Sequence, residues 1–162
     1  MNNLNKDFND FFKKNKLTLS LIESITGGMF SSSVTDIKGA SSFFKGGLVS
    51  YSNDVKTGVL GVSGEILNNY GAVSSECAKE MAVKGQQLFK SDVVISITGN
   101  AGPKPMENKP VGLIYIGIMY NDKYKGFSIF LEGTRKTIRK ESINHIKYLF
   151  LNYANEFCSK LK

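Results

Sequence analysis

Three stretches hold the residues best suited to chemistry. They are Leu21-Ile22-Glu23-Ser24-Ile25-Thr26-Gly27-Gly28, Val49-Ser50-Tyr51-Ser52-Asn53 and Ile97-Thr98-Gly99-Asn100-Ala101-Gly102-Pro103, each an apolar run ending in small polar residues. In an open α/β sheet, such strand ends gather at the carboxyl edge, where ligands collect. Ser24 and Thr26 fall where a strand gives way to a helix. The free N–H groups and partial positive charge of a helix start stabilise an alkoxide or a phosphate. Gly27 and Gly28 let a ligand approach the main chain closely. The ordinary alternative for this segment is a helix cap followed by a tight turn.

A serine hydroxyl needs a base to become a nucleophile. The sequence has one histidine, His145, in the exposed-looking middle of the last helix, so a Ser-His-Asp triad is not expected. Lys56 follows Tyr51 across a second strand-to-helix junction. A lysine taken out of water can accept the proton, helped by a tyrosine hydroxyl. The alternatives are a solvated helix lysine and a tyrosine at the edge of the core with its hydroxyl in water. In the third segment, Thr98 and the N–H groups from Gly99 to Ala101 can hold a carbonyl oxygen or a phosphate. Neither GxxxxGK[ST] nor GxGxxG occurs. No paired His/Cys or His/Asp spacing suggests a metal, and neither metal nor cofactor is expected. The carboxylates Glu23, Asp36, Asp54 and Glu76 show no pairing pattern and read mostly as solvated.

The elements that must position these residues follow from periodicity. Leu4, Phe8, Phe11 and Phe12 predict an amphipathic helix over 4–15. Leu17 to Ile22 reads as a buried strand, and Met29, Phe30, Val34 and Ile37 as a helix after the glycines. Leu48 to Ser52 is a second strand, followed by short helices at 53–60 and 63–69. Ser74 caps a longer helix to Phe89. Asp92 to Thr98 is β-branched, as a central strand requires. Val111 to Tyr120 and Tyr124 to Leu131 form a hairpin around Asn121-Asp122-Lys123. Thr134 to Leu161 closes the chain as a helix with Ile138, Ile146, Leu149, Tyr153, Phe157 and Leu161 on one stripe. The order predicts a three-layer α/β/α fold with a mixed, mostly parallel sheet.

The length of 162 residues suits a single domain over 1–162, and 41% apolar with 22% charged residues is a globular balance. No apolar run reaches the ~20 residues of a membrane helix. Met1 to Lys16 lacks the apolar centre of a signal peptide. With Cys77 and Cys158 as isolated thiols, a cytoplasmic location is expected. The formal charge of +7 comes from scattered lysines and only two arginines. That reads as a lysine-rich surface or attraction of a small anionic substrate, with neither nucleic acid nor membrane expected as partner. A homo-oligomer is left open.

Taken together, the segments resemble the CinA C-terminal domain family, the nicotinamide-nucleotide amidohydrolases. Glu23-Ser24-Ile25-Thr26-Gly27-Gly28 is similar to the family's ESCTGG, and Thr35-Asp36-Ile37-Lys38-Gly39-Ala40-Ser41 to its TD-x-x-GAS. Tyr51-Ser52-Asn53 with Lys56 is similar to YSN-x-x-K, Gly61-Val62 to GV, and Gly71-Ala72-Val73-Ser74 to GAVS. Thr98 to Pro103 is similar to TGIAGP and Lys109-Pro110-Val111-Gly112 to KPVG. The resemblance implies deamidation of nicotinamide mononucleotide to nicotinic acid mononucleotide and ammonia, without a metal. It implies Ser24 as nucleophile, activated by Lys56 and Tyr51, with Thr98 and Gly99 lining the site. Arg135, in a Gly-Thr-Arg segment similar to the family's GDR, is the phosphate ligand it suggests, with Arg139 the competing choice. Many relatives carry an N-terminal domain first, and this chain is expected to be the stand-alone form. Three departures stand out: Ile25 for a cysteine, Asn100 for an apolar residue, and Lys104-Pro105-Met106-Glu107-Asn108 for a glycine-rich stretch. Pro103 and Pro105, with no glycine from 103 to 108, stiffen that loop. A non-catalytic nucleotide-binding or interaction protein that kept the pocket is the competing function.

Overall fold

The computed structural model describes residues 3–159, with side chains described as far as Glu156. The side chains of Phe157 and Cys158, and Leu161 altogether, lie outside that description. The chain runs α1 (Leu4–Asn15), β1 (Leu19–Glu23), α2 (Met29–Thr35), β2 (Phe44–Val49) and α3 (Asn53–Val55), which passes into a π-helical turn at Lys56–Leu60. Then come α4 (Gly64–Tyr70), α5 (Ser75–Phe89), β3 (Val93–Gly99), β4 (Leu113–Tyr120), β5 (Lys123–Phe130) and α6 (Arg135–Ser159).

The five strands form one sheet in the order β2-β1-β3-β4-β5. β2, β1 and β3 are parallel, while β4 and β5 are antiparallel. β1 is buried at every position, as the strand covered on both faces must be. One face of the sheet packs against α1, α2 and α6 through Phe8, Phe12, Phe30, Ile138, Ile146 and Phe150. The other packs against α5 through Ile22, Val94 and Met119, facing Cys77, Met81 and Ala82. These two cores make the three layers. The chain crosses to opposite sides of β1 to make β2 and β3, so the carboxyl ends of the parallel strands open a crevice there.

Three elements differ from their sequence reading. β2 begins and ends earlier than the Leu48–Ser52 segment. It is an edge strand whose burial alternates, so no apolar run marks it, and Gly46 and Gly47 hide its strand character. Gly47 is required by packing, because a Cβ there would lie 2.3 Å from Ser31 Oγ. The hairpin loop is two residues, not three: Lys123 pairs with Tyr120, and Asn121 takes the positive φ of 53° that such a turn demands. The inward face of α6 carries Ile138, Ser142, Ile143, Ile146, Lys147, Phe150 and Ala154, with Leu149 and Tyr153 only on its flank.

Candidate active site

The sheet ladder brings the three segments together. Ser24 N–H donates to the Ile97 carbonyl at 3.1 Å, and Ser50 N–H donates to the Glu23 carbonyl at 2.8 Å. The ends of β2, β1 and β3 are thus held side by side. β2 stops at Val49, Ser50 keeps a last N–H bond to β1, and the carbonyls of Ser50 and Tyr51 turn inward. Ser52 then caps α3 by accepting from Val55 N–H. Lys56 opens the π-helical turn, a distortion frequent at functional sites.

The Lys56 side chain folds back under these strand ends. Its Nζ lies 2.9 Å from Ser24 Oγ, 2.6 Å from the Ser50 carbonyl oxygen and 3.2 Å from that of Tyr51. Lys56 is 1% exposed and Ser24 8%. Leu60 and Val62, just downstream, join Cys77 and Met81 in the apolar layer below. Burial holds the Lys56 amine below the ordinary lysine value, with Cys77 and Glu107 acting in the opposite sense.

Tyr51 reaches the site by its main chain. Its phenol points outward, 58% exposed, and accepts from Arg135 Nη2 at 3.0 Å. Arg135 also donates through Nη1 to the Gly102 carbonyl at 2.7 Å. It therefore bridges the second and third segments at the mouth. Arg139 is differently employed: its Nε and Nη2 donate to the Ile25 and Thr26 carbonyls, both at 3.0 Å, bracing the turn after Ser24.

The helix start behind Ser24 is already filled. Glu23, 1% exposed, accepts from Gly28 N–H, Phe30 N–H and Ser31 N–H, and from the hydroxyls of Thr26 and Ser31. This corrects its reading as a solvated carboxylate. It also occupies the Thr26 hydroxyl and the Gly28 amide, which the sequence reading offered to a ligand. Gly27 N–H donates to the Ser24 carbonyl and closes the turn. A carboxylate at the end of a buried strand, just before a glycine pair and a helix, is the signal that could have revealed this cap. Thr98 Oγ1 donates to the Ala72 carbonyl at 2.7 Å, and Gly99 ends β3 opposite Ile114. Thr98 is 1% exposed, so its hydroxyl is committed inside the fold, while Gly99 keeps some exposed surface.

The third segment is tied down by side chains. Asn100 Oδ1 accepts from Gly102 N–H, and its Nδ2 donates to the Lys104 carbonyl. Glu107 accepts from the Ala72 and Val73 N–H groups at 2.9 and 3.0 Å. Lys109 Nζ donates to the Tyr70 and Val73 carbonyls. Glu107 and Lys109 thus fasten the loop to the segment before α5, while Asn100 ties the loop to itself. His145 is exposed on α6, away from these contacts. Among the described residues, no group of three or more His, Cys, Asp or Glu is arranged to hold a metal ion. No described helix is long and apolar enough to cross a membrane.

Fold and site together define an α/β/α protein with a buried Ser–Lys pair at the carboxyl edge of its parallel strands. The chain belongs to the CinA C-terminal domain family, whose model matches residues 1–153. It is 43% identical over 151 residues to a putative competence-damage inducible protein of Bacillus velezensis, covering 93% of this chain and 36% of that one. It is 48% identical over 132 residues to a CinA-like protein of Endomicrobium trichonymphae, covering 81% and 31%. The chain therefore spans about a third of the length of these curated relatives. Among solved structures it is similar to the competence/damage inducible protein CihA from Agrobacterium tumefaciens, at 29% identity and a TM-score of 0.86 over 92% of each chain.

Proposed function

We propose that this chain hydrolyses the carboxamide of nicotinamide mononucleotide, releasing ammonia and nicotinic acid mononucleotide. One observation carries the mechanism: the Lys56 amine has three oxygen neighbours, and two of them are main-chain carbonyls. Carbonyls can only accept. In a neutral amine they take the two N–H bonds, which leaves the lone pair for the Ser24 O–H. The lysine is thereby oriented as a base toward one hydroxyl. Burial favours that neutral form.

The reaction then runs in two halves. Ser24 Oγ adds to the amide carbon while its proton passes to Lys56. The resulting ammonium returns that proton to the leaving nitrogen, and ammonia departs from a Ser24 ester. Water, deprotonated by Lys56, attacks the ester, frees the acid and restores Ser24. Arg135 stands at the mouth beside Tyr51, its guanidinium suited to bidentate capture of the nucleotide phosphate. The Tyr51 phenol keeps company with that guanidinium rather than with Lys56. Gly27, Gly28 and Gly99, which keep exposed surface, form the walls against which the ring is held, with Thr26 and Thr98 buried behind them.

The test is to supply purified protein with nicotinamide mononucleotide in the presence of a chelator and measure both products. Equal amounts of ammonia and nicotinic acid mononucleotide are expected. Binding without turnover would instead support a nucleotide-binding protein, and loss of activity restored by a divalent ion would remove the metal-free mechanism.

A further inference from the structure

We infer that the cleft between α1, α2 and α6 binds a small phosphomonoester carrying a hydroxyl group, at a site separate from the Ser24–Lys56 pair. The inference is independent of the amidase reading.

Helical spacing builds the cleft. Met29, Ser32, Ser33 and Asp36 recur three and four apart along α2 and its C-cap, so they share one side. Lys136, Lys140, Ile143 and Asn144 do the same on α6. Asn5 of α1 completes the lining. The volume is about 310 Å³, at the lower end of the range for small-ligand sites.

Behind the lining lies a cation that the amide reaction does not use. Lys147 is 0% exposed, and its Nζ donates to Asn5 Oδ1 and Ser33 Oγ, both at 2.8 Å. A buried charge is ordinarily paired with an opposite one. Here both oxygens are neutral, and both belong to the walls of the cleft. The Phe8 and Phe30 rings take two further sides, each centred 5.5 Å from Nζ. Lys147 also sets the donors of the cleft. An ammonium only donates, so Asn5 turns Oδ1 toward it and leaves its Nδ2 hydrogens for the cleft. Ser33 is spent, since its hydroxyl passes on to the Phe30 carbonyl at 2.7 Å. Ser32 stays exposed beside it.

The charges select the ligand. Lys136 and Lys140 are exposed, and among the described residues neither takes part in an ion pair. Asn144 is held by Glu141, to which its Nδ2 donates at 3.2 Å. The carboxylate on the lining is Asp36, whose charge also acts on Lys147. Three ammonium groups thus stand against it, and the cleft attracts anions. Two lysines one turn apart, with the Asn5 amide from α1, suit a phosphate, which offers more oxygens to these donors than a carboxylate does. Asp36 can only accept, so it suits a hydroxyl carried beside the phosphate.

The experiment is a titration of the ¹⁵N-labelled full chain with glycerol 3-phosphate, followed by amide shifts, with chloride at equal ionic strength as the control. Saturable shifts are expected at Ser32, Ser33, Asp36 and Lys140, and chloride should not reproduce them. Lys136→Gln/Lys140→Gln should weaken binding by at least about tenfold. Lys147→Met, which releases Asn5 and removes the buried charge, should weaken it by at least about threefold. Arg135→Ala, which removes the phosphate ligand proposed for the active site, should leave the four shifts and their midpoint unchanged. The inference is overturned if the four amides show no saturable shift, or if chloride moves them equally. Full affinity in either folded lysine variant overturns it as well. So does loss of the shifts in Arg135→Ala, which would assign the phosphate to the active site. No amide is hydrolysed in this titration, so failure of the amidase reading leaves its result intact. An active enzyme without these shifts would refute the cleft alone.

Discussion

The Lys56 amine lies closer to the Ser50 carbonyl oxygen, at 2.6 Å, than to the hydroxyl of Ser24, at 2.9 Å. The base is anchored to the main chain, not to its partner. Ser24→Ala should therefore leave Lys56 in place and cost less than about 1 kcal/mol of stability. It should lower turnover by at least about a thousandfold, as should Lys56→Met, and the double variant should be no worse than either single one. Multiplying losses would show that serine and lysine do not act as one unit.

Arg135 and Tyr51 touch each other outside the Ser–Lys pair, and their variants should report binding rather than chemistry. Arg135→Ala should raise KM by about ten- to a hundredfold with a smaller change in kcat. Tyr51→Phe should alter kcat by less than about tenfold, since its contribution to Lys56 is a carbonyl that phenylalanine keeps. A Tyr51→Phe loss as deep as that of Lys56→Met would place the phenol in the proton transfer.

The sequence made the site's members visible but not their roles. Ser24, Thr98 and Tyr51 announce themselves because apolar strands end there in small polar residues. β1, β3, β4, β5, α5 and the three-layer order follow from the sequence pattern, whereas β2, an edge strand carrying two glycines, does not. What periodicity does not carry is long-range burial. Lys56 reads as an ordinary helix lysine until Cys77 and Met81, from a distant helix, close beneath it. Tyr51 reads as a hydroxyl donor because a sequence names side chains, whereas in the fold its carbonyl faces the Lys56 amine and its phenol meets Arg135. Glu23 looks solvated because its five donors belong to main chain and hydroxyls, which leave no charge pattern. Lys147 was hidden for a similar reason: it sits on the buried stripe between Ile143, Ile146 and Phe150, where an apolar residue is the rule.

Glu23 should prove a major stabilising residue. It is buried and takes five hydrogen bonds across the start of α2. Glu23→Gln replaces an acceptor oxygen by a donor that faces other donors. The expected loss is about 2–4 kcal/mol in chemical denaturation. A loss under about 0.5 kcal/mol would contradict this role.

Lys147 supplies a pH signature of stability. Its Nζ is buried between the Phe8 and Phe30 rings and donates to Asn5 Oδ1 and Ser33 Oγ, and the charge of Asp36 partly opposes the effect of burial. Burial lowers its value to about 8, below the ordinary 10.5 of the unfolded chain. Below about pH 8 both states hold the proton and the full cost of burying the charge is present. Between that point and 10.5 the folded state has released the proton while the unfolded state retains it, so the cost is relieved as pH rises. Relative to Lys147→Met, the wild-type protein should gain on the order of 2–3 kcal/mol across this window. Parallel stability curves for the two proteins from pH 7 to about 10.5 would contradict it.

The central claim, that Lys56 activates Ser24 to open a nucleotide carboxamide, is tested most directly by ammonia release from nicotinamide mononucleotide. Wild type, Ser24→Ala and Lys56→Met would be compared at equal concentration, each first verified as folded. The account predicts steady release by wild type and a loss of at least about a thousandfold in both variants. Ser24→Ala turning over within tenfold of wild type, or a folded wild-type protein that releases no ammonia, would contradict it.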